Sequence, residues 1–161
     1  MSAADGVHVR EATGTADLDA VRRLMLAHAA ERSTTPGVEL IRADAARLPG
    51  PYIPPRGGIW VADSNGHAVG CVALRPLPGG VGEVNRMYVE PACRGRGVGR
   101  MLLERLIASA RQRGYRQLRL GTLLEMREAQ ALYRSIGFVE IERYREDEHA
   151  DACFFQLNLA S

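Results

Sequence analysis

The chain contains no lysine: all 21 of its basic residues are arginine, set against 19 acidic residues for a net charge of +2. A Schiff-base or pyridoxal-phosphate enzyme needs a lysine amine. The nucleotide-binding P-loop needs the lysine of G-x-x-x-x-G-K-[ST]. Both are excluded, as is a lysine general base. All-arginine usage by itself reads as a compositional bias of the genome. Cysteine is also scarce. The three stand at Cys71, Cys93 and Cys153, with no C-x-x-C and no cysteine–histidine cluster, so no metal site is expected. Cys71 lies in an apolar run and reads as a core thiol, while Cys93 lies in a polar loop and reads as an accessible one. No apolar run approaches the roughly 18–20 residues of a spanning helix. The first eleven residues are mixed polar and lack the apolar stretch of a signal peptide. The expected location is therefore cytoplasmic, with no membrane partner. A net charge this small gives no reason to expect a nucleic-acid partner.

What is present is ordinary for a soluble domain: 46% hydrophobic and 25% charged residues in a chain of 161. A chain of this length buries roughly 70% of its unfolded surface and forms one domain, spanning residues 1–161. Strands are predicted over Val7–Ala12, Ile59–Asp63, Ala68–Leu74, Glu83–Val89, Arg116–Leu120 (which alternates polar and apolar), Phe138–Ile141 and Cys153–Leu159. Ser64-Asn65-Gly66 predicts a hairpin turn, and Pro76–Gly82 a second turn. Helical spacing predicts a first helix with Leu18, Val21, Leu24, Met25 and Ala29 on one face, capped by Asp17 or Thr15. A weaker helix is expected over Val38–Leu48. The prolines between Pro49 and Pro55 read as a stiff connector. The strongest helix carries Val98, Leu102, Leu103, Leu106, Ile107 and Ala110 on one face and ends at Gly114. The last spans Glu128–Ile136 and stops at Gly137. This order predicts a mixed α/β (α+β) domain with one strand–loop–helix–strand crossover.

The loop at that crossover is the most informative segment. Between the fourth strand and the strongest helix the chain reads Arg94-Gly95-Arg96-Gly97-Val98-Gly99-Arg100. Three alternate glycines let backbone N–H groups converge without Cβ obstruction, and the helix N-terminus adds partial positive charge. This is the chemistry of a pyrophosphate cradle. The dinucleotide fingerprint G-x-G-x-x-G fails, because its last glycine falls on Arg100. Arg-Gly segments that bind RNA are longer and unfolded. A tight arginine-rich turn with no ligand stays open as the plain alternative.

These residues resemble the GCN5-related N-acetyltransferases, the GNAT superfamily. Arg94–Gly99 matches the motif [QR]-x-x-G-x-[GA] of that family. The preceding Arg86-Met87-Tyr88-Val89-Glu90-Pro91 is typical of it. So is Ala129–Phe138, which matches A-x-x-L-Y-x-x-x-G-F. The element order agrees over nearly the whole chain. One departure is visible: many members carry asparagine three residues before the alanine of the second block, where this chain has Met126. The resemblance implies a central, mostly antiparallel twisted sheet of about seven strands with about four helices. It also implies a bulge in the fourth strand that splays it from the fifth. The implied co-substrate is acetyl-CoA, with its pantetheine arm along Met87, Tyr88 and Val89 and its pyrophosphate on Arg94, Gly95, Arg96, Gly97, Val98, Gly99 and Arg100. No metal is implied. The implied activity is acetyl transfer to the amine of a small molecule or a peptide N-terminus, by direct attack in a ternary complex. A non-catalytic acyl-CoA-binding or regulatory module on the same fold is the alternative. The oligomeric state, monomer or homodimer, is left open.

A primary alkyl amine of pKa about 10.4 is only about 0.04% neutral near pH 7, which costs roughly 4.6 kcal/mol. A general base therefore matters most for such acceptors. Glu83, on the fourth strand, is the candidate base, acting directly or through water. The plain alternative is a strand carboxylate paired with an arginine. Asn85 and Arg86 are weaker site candidates. Tyr133 matches the acid of the family, set to steady the leaving thiolate, and it also fits a core aromatic. The oxyanion donor is expected to be a backbone N–H of the splayed strand. The acceptor wall is expected from the first two helices, the connector with Tyr52, and the charged stretch holding Glu146, Asp147, Glu148 and Asp151. That stretch is either a solvated loop or an acidic mouth for a cationic amine. His28, His67 and His149 read as surface residues.

Overall fold

Turn residues set most of the element boundaries in the structure, a computed structural model that describes residues 6–32, 37–146 and 150–159. β1 (Val7–Glu11) leads into α1 (Gly14–Glu31), which is followed by α2 (Val38–Ala46). The antiparallel strands β2 (Gly58–Ser64), β3 (His67–Leu77) and β4 (Val81–Val89) come next. A short 3-10 turn, Pro91–Cys93, then precedes α3 (Val98–Gln112), β5 (Gln117–Leu123), α4 (Arg127–Ile136), β6 (Val139–Ile141) and β7 (Ala152–Asn158). Asn65 and Gly66 both have positive φ, 52° and 82°, as the primed two-residue hairpin turn requires.

The seven strands form one sheet in the order β1-β2-β3-β4-β5-β7-β6. Every pairing is antiparallel except β4 with β5. Core side chains alternate by face. Trp60, Ala62, Val72 and Leu74 pack with Leu102, Leu103 and Leu106 of α3 and Tyr133 of α4. Ile59, Val61, Cys71 and Ala73 pack with Val21, Leu24 and Met25 of α1 and Ile41 of α2. Helices therefore cover both faces. That is why the central strands read as continuous apolar runs rather than alternating ones.

Three local expectations are corrected. The residue preceding the first helix is Thr13, and Asp17 lies one turn inside, where its carboxylate accepts the Thr13 N–H at 2.7 Å. The turn expected over Pro76–Gly82 is shorter, because β3 runs on to Leu77 and β4 starts at Val81. Pro76 is tolerated there because β2 ends its pairing at Leu74, leaving no strand on that side to want its N–H. The strand after α3 continues past Leu120 to Leu123, paired along its whole length with β7. No helix among the described residues is long and apolar enough to cross a membrane.

Candidate active site

The site is built where the sheet opens. β4 and β5 pair only over three positions, Val81 with Gln117, Gly82 with Leu118 and Glu83 with Arg119. Beyond Glu83 the two strands separate. The cause lies on the other edge of β4. Cys71 of β3 faces Tyr88 and Ala73 faces Asn85, so Arg86 and Met87 together oppose Val72. This is a bulge, and it holds Arg86 at φ +58°, a left-handed conformation that a non-glycine residue adopts at a cost. The bulge turns the end of β4 away from β5. The splay expected from the resemblance is present.

On the α3 side of the fork lies a cavity of about 660 Å³, lined by Met87, Tyr88 and Val89 of β4, the loop through Gly97, the first turn of α3, and Ala129 and Leu132 of α4. Gly97 precedes α3 with φ +86°, and no side chain caps the helix. A Cβ at Gly97 would meet nothing within 4 Å, so glycine is needed there for its dihedral and not for space. The first turn of α3 has no acidic residue. Its first N–H groups have no intrahelical partner, and Val98, Gly99 and Arg100 line the cavity.

The arginines of this loop differ in placement. Arg94 donates to the Val89 carbonyl at 2.8 Å, ion-pairs with Glu31 at 2.8 Å and lies over the Tyr88 ring. Arg100 donates to the Ser135 hydroxyl of α4. Both line the cavity, whereas the exposed Arg96 is not part of its lining. Cys93 lines it half-buried.

On the α1–α2 side lies a second cavity, of about 470 Å³. Glu83 sits at its end with the side chain 1% exposed. Four donors reach its two oxygens. Arg75 Nε and Asn85 Nδ2 lie 2.9 and 3.0 Å from Oε1, and Tyr144 Oη and Arg145 donate to Oε2, the tyrosine at 2.6 Å. A carboxylate offers about four lone-pair sites, so all of them are taken. Burial alone would raise the Glu83 pKa, but Tyr144, Arg145 and Arg75 together outweigh it and hold the group below the usual carboxylate range.

A second buried carboxylate, Asp44, stands on the α2 wall. Arg86 Nε donates to its Oδ2 at 2.9 Å, Tyr52 donates to the same oxygen, and Arg47 lies 3.6 Å from Oδ1. Burial and the Asp44 bond push the Tyr52 phenol up.

Tyr133 lines this second cavity, tilted against Phe138 and Phe155. Its hydroxyl has no hydrogen-bond partner among the described residues, and burial, then Cys153, push it up to about 12. It is therefore a neutral donor at physiological pH. His28, Arg32, Met87, Met126 and Ala129 line both cavities, so these residues mark where the two meet.

His28 was expected at the surface, and the structure corrects this. Its ring stacks on Tyr88 at 5.2 Å and its Nδ1 is buried without a partner. Burial first, then Arg32 and Arg86, push its pKa down to about 4. His67 is exposed and pairs with Glu90 at 3.0 Å. Asp147, Glu148 and His149 lie outside the described residues. Sequence reasoning missed Asp44, Arg75, Tyr144 and Arg145. Their signal is long-range pairing, with partners 42, 8, 61 and 62 residues away, which no local motif carries.

The sequence matches the profile of the acetyltransferase (GNAT) family over residues 19–138. It is similar to an uncharacterized N-acetyltransferase of Schizosaccharomyces pombe, 36% identical over 111 residues that make up 68% of each chain. Several other curated N-acetyltransferases match over about half of their own length. The fold is shared with an acetyltransferase of Staphylococcus aureus, with a TM-score of 0.81, 22% identity and coverage of 96% of this chain and 99% of that one. It is also shared with yncA of Salmonella typhimurium, solved with its cofactor acetyl-CoA, with a TM-score of 0.71, 25% identity and coverage of 96% and 95%. The chain belongs to the GNAT family of acetyltransferases.

Proposed function

We propose that this chain transfers the acetyl group of acetyl-CoA to the amine of a small molecule or peptide N-terminus, by direct attack within a ternary complex. The observation that carries the reading is the pair of cavities flanking the β4–β5 fork and meeting at His28, Met87, Met126 and Ala129. One is suited to a long anionic donor and the other to a compact acceptor. The acetyl-CoA seen with the Salmonella protein supports the choice of donor.

Bound acetyl-CoA supplies an activated thioester carbonyl. The residues of the chain then divide the work. The first turn of α3 (Val98, Gly99 and Arg100), with Gly95, Gly97 and Arg94, holds the pyrophosphate through N–H groups and guanidinium charge. Arg96 adds charge from outside the cleft. The edge of β4 left without a strand beyond Glu83 offers backbone groups to the pantetheine amides and an N–H to the developing oxyanion. Met126, where many relatives carry asparagine, contributes only apolar contact. Tyr133 donates a hydrogen bond to the departing sulfur. With a phenol near 12 and a thiol near 8.5, full proton transfer would be uphill by roughly 5 kcal/mol, so the tyrosine steadies the thiolate and does not protonate it. Glu83 is the acceptor of the amine proton, directly or through water. With its four acceptor sites filled, either route requires Asn85 or another donor to leave one oxygen first.

Release of free thiol from acetyl-CoA across a panel of amines tests the reading. Turnover on at least one acceptor, following sequential and not ping-pong kinetics, is expected. Binding of acetyl-CoA without thiol release on any acceptor would instead support a non-catalytic acyl-CoA-binding module.

A further inference from the structure

Arg86 occupies a position that the transfer chemistry does not use. It sits at the bulge with φ +58°, a left-handed conformation that a non-glycine residue keeps only where the surroundings demand it. Its Nε is spent on Asp44 at 2.9 Å. Its two terminal nitrogens have no partner among the described residues, although the side chain is only 23% exposed and lines the acceptor cavity. Neither nitrogen is sealed from solvent, and the residue is part of the cavity wall. The free edge of a guanidinium fork matches the two oxygens of an anion.

The surrounding charge sets the size of that anion. Asp44 faces both Arg86 and Arg47, Glu83 faces both Arg75 and Arg145, and Arg32 at the junction has no carboxylate partner among the described residues. Asp44 faces two arginines, so one positive charge is left beside the Arg86 edge, which a single carboxylate would balance. At about 470 Å³ the cavity suits a small molecule.

We propose that the acceptor is a small amino carboxylate, such as a free amino acid, whose carboxylate docks on the free edge of Arg86 while its amine reaches the junction of the two cavities. This names the acceptor class of the transfer reading and rests on it. It is a different reading from the acidic mouth for a cationic amine, whose Asp147 and Glu148 lie outside the described residues; the described cavity wall holds more arginines than carboxylates.

Matched acceptors test the proposal: free amino acids, their α-amides, their decarboxylated amines and phosphoethanolamine, each at saturating acetyl-CoA. At least one amino acid should exceed its amide and amine in kcat/KM by about 10- to 100-fold, the worth of a charge-assisted hydrogen-bond pair. The amide has the less basic amine and more of it is neutral near pH 7, so a preference over the amide cannot come from amine basicity, and the acid-to-amide ratio is the deciding one. Arg86→Gln should raise KM for the amino acids by more than for their amides, so that the acid-to-amide ratio collapses, and Arg86→Lys should restore part of it. Amides equal to or better than every amino acid would overturn the proposal. So would an Arg86→Gln loss shared equally by all acceptors, or a preference for phosphoethanolamine. If Arg86→Gln does not fold, the wild-type ratio of acid to amide decides alone. Turnover of plain amines only would sink the proposal and keep the transfer reading. Failure of the wild-type chain to bind acetyl-CoA would sink both.

Discussion

The two halves of the site are built by different means. The donor half is made of consecutive chain: the end of β4, one glycine loop and the first turn of α3, with α4 as the facing wall. The groups proposed to hold the anion are backbone N–H groups, and Gly97 shapes the turn through its dihedral. The acceptor half is made of side chains drawn together from α2, β3, β4 and the segment between β6 and β7, and two buried carboxylates organise it. Backbone chemistry is the same in any sequence that adopts the turn, so the donor half can serve many acceptors. Side-chain networks carry the individuality, and they hold the acceptor half rigid at the cost of desolvated charge.

The sharpest way to break this contrast is to remove a carboxylate from the acceptor half. Glu83→Gln leaves Arg75 and Arg145 facing each other across a lost counterion. It should destabilise the fold by about 3 kcal/mol, the lower end for a broken buried pair because both arginines keep about a third of their surface. Urea unfolding at pH 7.5 (about one unit above the usual histidine range) measures this. The same variant should lower the transfer rate at neutral pH and recover as pH rises, and an unchanged pH–rate profile would remove Glu83 from proton transfer.

Tyr133→Phe probes the junction. The hydroxyl has no partner, so stability should stay within about 0.5 kcal/mol. If the tyrosine steadies the thiolate, kcat should fall about 10- to 100-fold with unchanged acetyl-CoA affinity by calorimetry. Gly97→Ala strikes the donor half through its dihedral alone. A left-handed alanine costs roughly 1–2 kcal/mol. That cost should appear as weaker acetyl-CoA binding, with acceptor KM unaltered.

The smallest expected effect concerns His28, which belongs to both halves. Its folded pKa of about 4 lies below its ordinary value of about 6.5. The unfolded chain therefore takes up the proton first as pH falls. The stability linked to this histidine is intact above about pH 6.5 and is lost progressively down to about pH 4. Thermal melting of the wild-type chain should decline over that window, and His28→Phe should flatten that part of the decline. Identical profiles would mean that other groups set the acid limb.

Legibility followed the same division. The strands, the strongest helix and the glycine loop were readable because their signals are local: short apolar or alternating runs, helical spacing, and glycines at fixed offsets. The ends of β3 and β5 were misjudged because tertiary pairing extended them past Pro76 and Leu120, where propensity alone would stop. His28 was misread because one histidine on a helix gives no sign that Tyr88, Arg86 and Arg94, about 60 residues away, will enclose it. Asp44 and Arg145 were silent for the same reason.

By itself the sequence determined the family, the order of elements and the glycine loop ahead of α3, since these depend on spacing along the chain and on backbone freedom at named glycines. It also excluded every lysine-based chemistry. Only the tertiary structure decided that Glu83 would be saturated by four donors, that Arg86 would be held strained with one edge free, and that arginines would outweigh carboxylates around the acceptor. Those outcomes depend on which distant side chains share one low-dielectric cavity, and charge pairing there is set by distance in space.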